Sequence, residues 1–367
     1  MNYKICDLCE VTSSRRIFAR EYTTCGVPFF RSQEVIESSL HGHAEPMIFI
    51  SEGRYNQIIQ SKLPVPKKGD ILLSAIGANR GYPWHVDIDR FYFKDGNVIW
   101  LRNFIKNCNP SYLCYYLGRE TVITSMQRAS EHSAQGALTI DLIKSLEIEL
   151  PDLIVQQHIV NTIGSIDNLI ENINKQNEKL LHIGLTFING LNDSLEHQKL
   201  LSICELIKGF EIGSQNYIET SADESLIRYL RVGDLLSLGN TFVEPSNELM
   251  ICADDDILVA FDGAPGRNAI GLEGAYSSGI YKVKCNPKYK GLVYFEINSE
   301  LNQKIIKDHS QGTTILHASK AIPFLETAKA DDKNAEKLNV LFKQITNNKK
   351  KLKLLNNEKQ LLLSKYF

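Results

Sequence analysis

Apolar residues along this chain fall into two kinds of pattern, and each kind occurs twice. The first kind is a long helical seam. Ile159, Ile163, Ile166, Ile170, Ile173, Asn177, Leu180, Gly184, Phe187 and Leu191 recur at alternating steps of four and three, the spacing of a packed helix. Leu338, Leu341, Ile345, Asn348, Leu352, Leu355, Lys359, Leu362 and Tyr366 repeat it, and from Ile163 onward each position has its counterpart 175 residues later. The remaining faces are polar, with Asn168, Glu171, Asn172, Lys175, Gln176, Glu178 and Lys179 on one helix and Asn347, Lys349, Lys350, Lys351, Lys353 and Asn356 on the other. A helix with one apolar stripe needs a partner to cover it. Each helix can pack on its own globular half, or the two can pair with each other. The sustained three-four spacing favours pairing, with Ile163, Ile166, Ile170, Ile173, Leu180 and Phe187 meeting Leu341, Ile345, Leu352, Leu355 and Leu362. Gly184 and Lys359 weaken the same layer in both copies, which reads as a bend or as a contact for another protein.

The second kind of pattern is short and strand-like. Ile71 to Ile76, Phe91 to Phe93, Val98 to Leu101, Ile257 to Phe261 and Ile280 to Lys284 are bounded by glycine, proline or asparagine. Helices are expected over Ser111 to Gln127 and Lys290 to Lys307. These segments also repeat. Lys67-Lys68-Gly69-Asp70-Ile71-Leu72-Leu73 matches Ala253-Asp254-Asp255-Asp256-Ile257-Leu258-Val259, and each leads into a glycine loop, Gly77 to Gly81 and Gly263 to Arg267. His132-Ser133-Ala134-Gln135-Gly136 answers His309-Ser310-Gln311-Gly312. The expected architecture is therefore α+β: two similar mixed α/β domains (residues 1–153 and 194–331), each followed by a long helix (154–193 and 332–367), the helices forming an antiparallel coiled coil.

Composition narrows the function without choosing it. With 43% hydrophobic and 23% charged residues, the chain has the make-up of a globular protein, and no apolar run reaches the length of a membrane span. The first residues lack a charged leader, an apolar block and a cleavage site, which points to the cytoplasm. Eight scattered cysteines then read as reduced thiols. Cys6-x-x-Cys9 has no second pair to complete a zinc site, so no metal and no cofactor are expected. The net charge of −2 argues mildly against a nucleic-acid partner, although a near-neutral protein can hold basic clefts.

A resemblance adds what composition withholds. Cys9-Glu10-Val11-Thr12-Ser13-Ser14-Arg15-Arg16-Ile17-Phe18, Gly26-Val27-Pro28-Phe29-Phe30-Arg31 and Lys68-Gly69-Asp70-Ile71-Leu72 resemble a target recognition domain of Type I restriction-modification specificity subunits. So does the exit through Gln135-Gly136 and Leu150-Pro151 to Gln156-Gln157-His158-Ile159-Val160. The second half departs, having Thr327-Ala328-Lys329-Ala330-Asp331-Asp332 before its helix and Tyr229-Leu230-Arg231-Val232 for Phe29-Phe30-Arg31. The resemblance implies a non-catalytic subunit that reads double-stranded DNA, docks two methyltransferase subunits on its helices and is joined by restriction subunits. A seam from Ile159 to Leu191 spans roughly 50 Å at 1.5 Å per residue. Readers held that far apart address two half-sites more than one helical turn apart, with an unread gap between them.

Arginine is the bidentate reader of guanine, and asparagine and glutamine suit adenine. Arg15, Arg16, Arg31, Asn79, Arg80 and Gln135 in the first half, and Arg228, Arg231, Arg267, Asn268 and Gln311 in the second, lie beside turn signals and are the DNA-binding candidates. Each also reads as plain surface charge or loop capping. Trp84 with Tyr82 and His85 can stack or wedge, or form a half-buried aromatic cluster. Lys349-Lys350-Lys351, extended by Lys353, can follow a phosphate backbone or be a solvated helix face. The rival readings are a DNA methyltransferase or nuclease, and a stand-alone DNA-binding protein. Asn109-Pro110-Ser111-Tyr112 and Phe261-Asp262-Gly263-Ala264-Pro265-Gly266 superficially resemble methyltransferase motifs, but the first starts a helix and the second leads into a strand, where a cofactor loop should enter a helix.

Overall fold

The computed structural model describes residues 2–42, 44–131, 136–219, 223, 225–236, 239–312 and 316–367. They form two compact units, Met1–Glu171 with Asn357–Phe367, and Asn172–Asn356.

In the first unit, β1 (Asn2–Lys4) pairs with β10 (Glu147–Glu149). One antiparallel sheet runs β2 (Glu10–Thr12), β9 (Val98–Arg102), β6 (Ile71–Ser74), β7 (Pro83–His85). Another runs β3 (Tyr22–Thr23), β5 (Phe49–Ile50), β4 (Val27–Phe30), β8 (Tyr92–Phe93), its β4–β8 pair being parallel. The helices are α1 (Ile5–Leu8), α2 (Ser32–His41), α3 (Glu52–Gln60), α4 (Pro110–Leu117), α5 (Glu120–Ser130) and α6 (Ile140–Ser145), followed by α7 (Leu153–Ser194).

The second unit repeats this plan. β11 (His197–Lys199) pairs with β20 (Glu326–Ala328), and a sheet runs β12 (Cys204–Lys208), β19 (Ile280–Cys285), β16 (Leu258–Ala260), β17 (Asn268–Ala269). The third sheet runs β14 (Phe242–Val243), β13 (Ile227–Leu230), β18 (Gly274–Tyr276), β15 (Ile251–Cys252), with β13–β18 parallel. It matches β5–β4–β8, but the fourth strand joins the opposite edge. Helices α8 (Lys290–Asn298) and α9 (Glu300–Asp308) precede α10 (Asp332–Tyr366).

Two expected helices are each divided. Gly118 caps α4, whose N-terminus has Pro110 in its first turn and the Asn109 side chain accepting from the Ser111 N–H at 2.9 Å. Ser299 stands in extended backbone between α8 and α9 and accepts from the Asn302 N–H. Apolar periodicity runs through both breaks, and the caps override it. The expected strand over Ile71 to Ile76 stops at Ser74, whose carbonyl accepts from the Gly81 N–H at 2.8 Å and starts the hairpin turn.

Each unit holds parts of both long helices. In the first, Ile159 and Ile163 of α7 and Leu363 of α10 enter one core with Ile5, Leu8, Leu73, Leu101 and Leu113. Asp167 pairs with Lys359 at 2.6 Å, and His158 meets the Tyr366 ring. In the second, Ile188, Leu338, Phe342 and Ile345 join Ile257, Val259 and Phe295, Asn348 donates to Asn177 at 2.8 Å, and the Lys337 ammonium lies over Phe187. In both, a step forward on α7 is a step back on α10, so the pairing is antiparallel. Ile163, Ile166, Ile173, Ile345, Leu352 and Leu355 are buried, while Ile170, Leu180, Phe187, Leu341 and Leu362 are half-buried. Fully burying one such side chain contributes about 1.5–3 kcal/mol, so the helices are integral to both cores.

Packing within each unit accounts for the weak seam layer. A Cβ on Gly184 would lie 2.0 Å from Phe295 Cε1, so glycine there lets α8 approach α7. Its repeat counterpart Lys359 reaches Asp167 and lies over the Tyr115 ring, and Tyr115 also donates to Asp167 at 2.7 Å. The lysine run on α10 is engaged too. Lys350 pairs with Asp254 and Lys353 with Glu273, both at 3.0 Å, and Lys349 packs beside Gly271.

Candidate nucleic-acid interface

Candidate residues gather where the parallel strand pair ends. In the first unit, β4 runs into Arg31, whose backbone N–H donates to Glu34 at 2.9 Å and whose guanidinium holds the same carboxylate. That guanidinium draws the buried Glu34 carboxyl below its usual range despite desolvation. Beside it, the turn after β8 is fastened by Lys94 N–H to Phe30 O at 2.8 Å and by Ser32 Oγ to Asn97 O at 2.5 Å. Arg16 reaches this turn through Asp95 at 2.8 Å, and the Arg15 N–H donates to the Tyr92 hydroxyl at 3.0 Å. Both arginine side chains are exposed. Arg15, Arg16 and Arg31 thus surround one turn.

The second unit builds the same corner. Strand β13 runs into Arg231, whose N–H donates to Asp234 at 2.7 Å, and Ser277 N–H donates to Leu230 O at 2.9 Å as Lys94 does to Phe30. The β16–β17 loop folds over this corner, with Arg267 donating to Val232 O at 3.3 Å. Gln311 exchanges backbone hydrogen bonds with His317, which meets Asp262 of the loop at 2.8 Å. Arg231, Arg267 and Gln311 therefore share one surface.

Other candidates are tied into the fold. Arg80 donates to Ser130 Oγ at 2.6 Å, Gln127 O at 3.0 Å and Gly77 O at 3.2 Å, fastening the glycine loop to α5 and leaving Asn79 exposed on it. Arg228 stacks over Phe242 and donates to Gly239 O. Asn268 exchanges side-chain hydrogen bonds with Asn298 of α8. Trp84 is buried against Phe30 and Phe91. Gln135 lies outside the described residues.

One basic feature escaped the sequence reading. A recess of about 420 Å³ is lined by Arg20, Glu21, Thr23, Ser51, Gly53, Arg54 and Gln57. Arg54 pairs with Glu21 at 2.7 Å, and the Arg20 guanidinium lies 5.1 Å from the Phe18 ring centroid. These residues come from a short turn and from the start of α3, so no local spacing announces them. At Cys6-x-x-Cys9, Cys9 is buried, and desolvation pushes its thiol up to about 12.

A family model for the Type I restriction modification DNA specificity domain matches residues 1–182. Residues 1–182 thus carry a Type I restriction specificity domain, and the chain is similar to specificity subunits of that family. A putative type I restriction enzyme specificity subunit of Haemophilus influenzae is 28% identical over 168 residues, 46% of this chain and 40% of that protein. The MjaVIII specificity subunit of Methanocaldococcus jannaschii is 28% identical over 148 residues, 38% of this chain and 33% of that one. The matched region thus spans less than half the length of these curated relatives. The crystal structure of a Type I restriction-modification S subunit from M. genitalium shares the fold, with a TM-score of 0.51 at 16% identity, covering 100% of this chain and 96% of that one. No described helix is long and apolar enough to cross a membrane.

Proposed function

We propose that this chain is the DNA-reading subunit of a Type I restriction-modification complex. The observation that carries the reading is the duplicated corner, an arginine ending the same strand of the same sheet in each half. Each globular half, 1–153 and 194–331, reads one half of a bipartite target. The residues exposed enough to reach bases are Arg15, Arg16, Asn79, Arg231 and Gln311, while Arg80, Arg228, Arg267 and Asn268 shape the loops that carry them. Arg31 straddles the two roles, being half-buried on Glu34 at the corner itself. Catalysis belongs to methyltransferase subunits docked on the long helices and to restriction subunits recruited through the complex, and the chain itself holds no catalytic role. The helices set the gap between half-sites.

Two manipulations in the assembled methyltransferase complex test this, read by mapping methylated sites across a genome. Exchanging residues 1–153 for the corresponding part of a family member with another target should change one half-site only. Removing matched heptads from α7 and α10 shortens the pair by about 10 Å, which should narrow the gap by about three base pairs with both half-sites unchanged. Changed half-site sequences after the heptad removal, or an unchanged target after the exchange, refute the reading.

A further inference from the structure

The seam between the long helices contains a buried amide layer, and its position within the repeat is informative. Asn348 Nδ2 donates to Asn177 Oδ1 at 2.8 Å, and Asn348 Oδ1 accepts from Gln344 at 3.2 Å. Asn348 is buried, and Asn177 Nδ2 is buried with no partner among the described residues. The pair is thus incompletely satisfied, and an apolar pair would fill the layer at less cost. In the same antiparallel register Ile173 falls opposite Leu352, and both are buried. The repeat relates these two layers. The counterpart of Ile173 is Asn348, and the counterpart of Asn177 is Leu352. The two asparagines occupy non-equivalent positions, and they meet only because α7 faces α10.

Pairing between chains destroys that match. Two copies of α7 in the corresponding register set Asn177 against Ile173, twice, and two copies of α10 set Asn348 against Leu352, twice. Each such layer buries an amide against an aliphatic side chain that offers no hydrogen bond. The other seam positions are apolar in both helices apart from Gly184 and its counterpart Lys359, so they discriminate poorly between a helix and its repeat. A buried asparagine at a seam position fixes register and partner at a cost in stability. We propose that the Asn177–Asn348 pair selects partners, making each long helix prefer the other helix of its own type of pair over the copy of itself in a second chain.

The test uses full-length chains carrying two different tags, unfolded together, refolded at micromolar concentration and captured on one tag. The readout is co-captured second tag, together with mass by light scattering. The double variant Asn177→Leu with Asn348→Ile makes each asparagine equal to its repeat counterpart and removes the discrimination. At least a ten-fold rise in mixed-tag dimer over the unsubstituted chain is expected, with thermal stability kept or raised. Adding Ile173→Asn and Leu352→Asn to that variant moves the polar pair into the equivalent layer and should return mixed dimer to the original level. Equal mixed-dimer yield from the unsubstituted chain and the double variant overturns the proposal. So does failure of the transposed pair to lower it, because polarity at one particular position would then be what matters.

Discussion

Gly184 offers the cleanest contest between two physical effects, because helix propensity and packing predict opposite signs for its replacement. In the middle of α7, Gly184→Ala should stabilise by about 1 kcal/mol through backbone entropy alone. Packing points the other way. The added Cβ would lie 2.0, 2.4 and 2.5 Å from three carbons of the Phe295 ring. Carbon atoms settle near 3.5–4.0 Å, so the ring or the helix must retreat by about 1.5 Å. Phe295 is fully buried and packs edge-on against Tyr294 with ring centroids 5.1 Å apart, leaving it no open direction. Overpacking of this kind costs about 1–3 kcal/mol and exceeds the propensity gain over most of that range. Subtracting the propensity gain leaves a net loss of up to about 2 kcal/mol, and a displacement of this size in a fully buried ring places it in the upper half of that range, about 1–2 kcal/mol. With a slope of about 2 kcal/mol per molar urea for a unit of this size, the midpoint of the second unit should fall by about 0.5–1 M. Phe295→Leu vacates part of the clash, so the double variant should lie close to Phe295→Leu alone rather than at the sum of the two losses. A Gly184→Ala midpoint equal to or above that of the unsubstituted chain would refute the packing account and restore the reading of Gly184 as a bend.

Four further outcomes follow from other contacts. Glu296 is buried, accepting from Ala328 N–H at 2.8 Å and Asn192 Nδ2 at 3.1 Å, and burial raises its carboxyl above the ordinary 4.5. A raised folded-state value means its stabilising contribution is present at low pH and is lost as pH climbs from 4.5 through that value. Glu296→Gln keeps the acceptor for Ala328 and offers a donor to Asn192 Oδ1, which is buried without a partner among the described residues. The variant should therefore unfold at higher urea than the parent near neutral pH, and the advantage should vanish at pH 4. Replacing Arg54 and Arg20 in the recess by alanine should flatten the salt dependence of DNA binding by about one unit of log–log slope per lost phosphate contact, leaving target preference intact, as titrations at several salt concentrations would report. Arg80→Ala should lower the stability of the first unit by about 1–3 kcal/mol through its three lost hydrogen bonds. Arg231→Ala should instead relax one half-site position with little change in melting, and a combined binding and melting comparison separates them.

Much of the frame was legible because it rests on periodicity, which burial enforces directly. The seam residues repeat 175 positions apart since both helices must cover cores of the same plan, and the glycine loops repeat because both connect the same hairpin. Boundaries were less legible wherever one capping residue decides them, as Gly118 and Ser299 do between helices whose apolar pattern runs straight through. The site was least legible. Arg80 and Asn268 stand beside turn signals as base-reading residues would, yet side chains distant in sequence, Ser130 and Asn298, occupy their donors. The lysine run of α10 looked free only because Asp254 and Glu273, its partners, lie some eighty or more residues away.

The places where the repeat breaks are more telling than the places where it holds. Strand β4 and strand β13 end alike, but Arg31 opens α2, a full helix, whereas Arg231 opens only a short turn, Val232–Leu235. Beyond α2 the first half adds α3 and the basic recess, while the second half instead adds β15 on the opposite edge of its sheet. The core strands, the closing pairs β1–β10 and β11–β20, and the long helices diverge far less. Divergence confined to the segments around one corner, on a frame otherwise copied, is what the proposed reading of two different half-sites from one geometry requires. Under that proposal the frame would keep each corner's register on a duplex, and only the segments meeting base edges would be free to change.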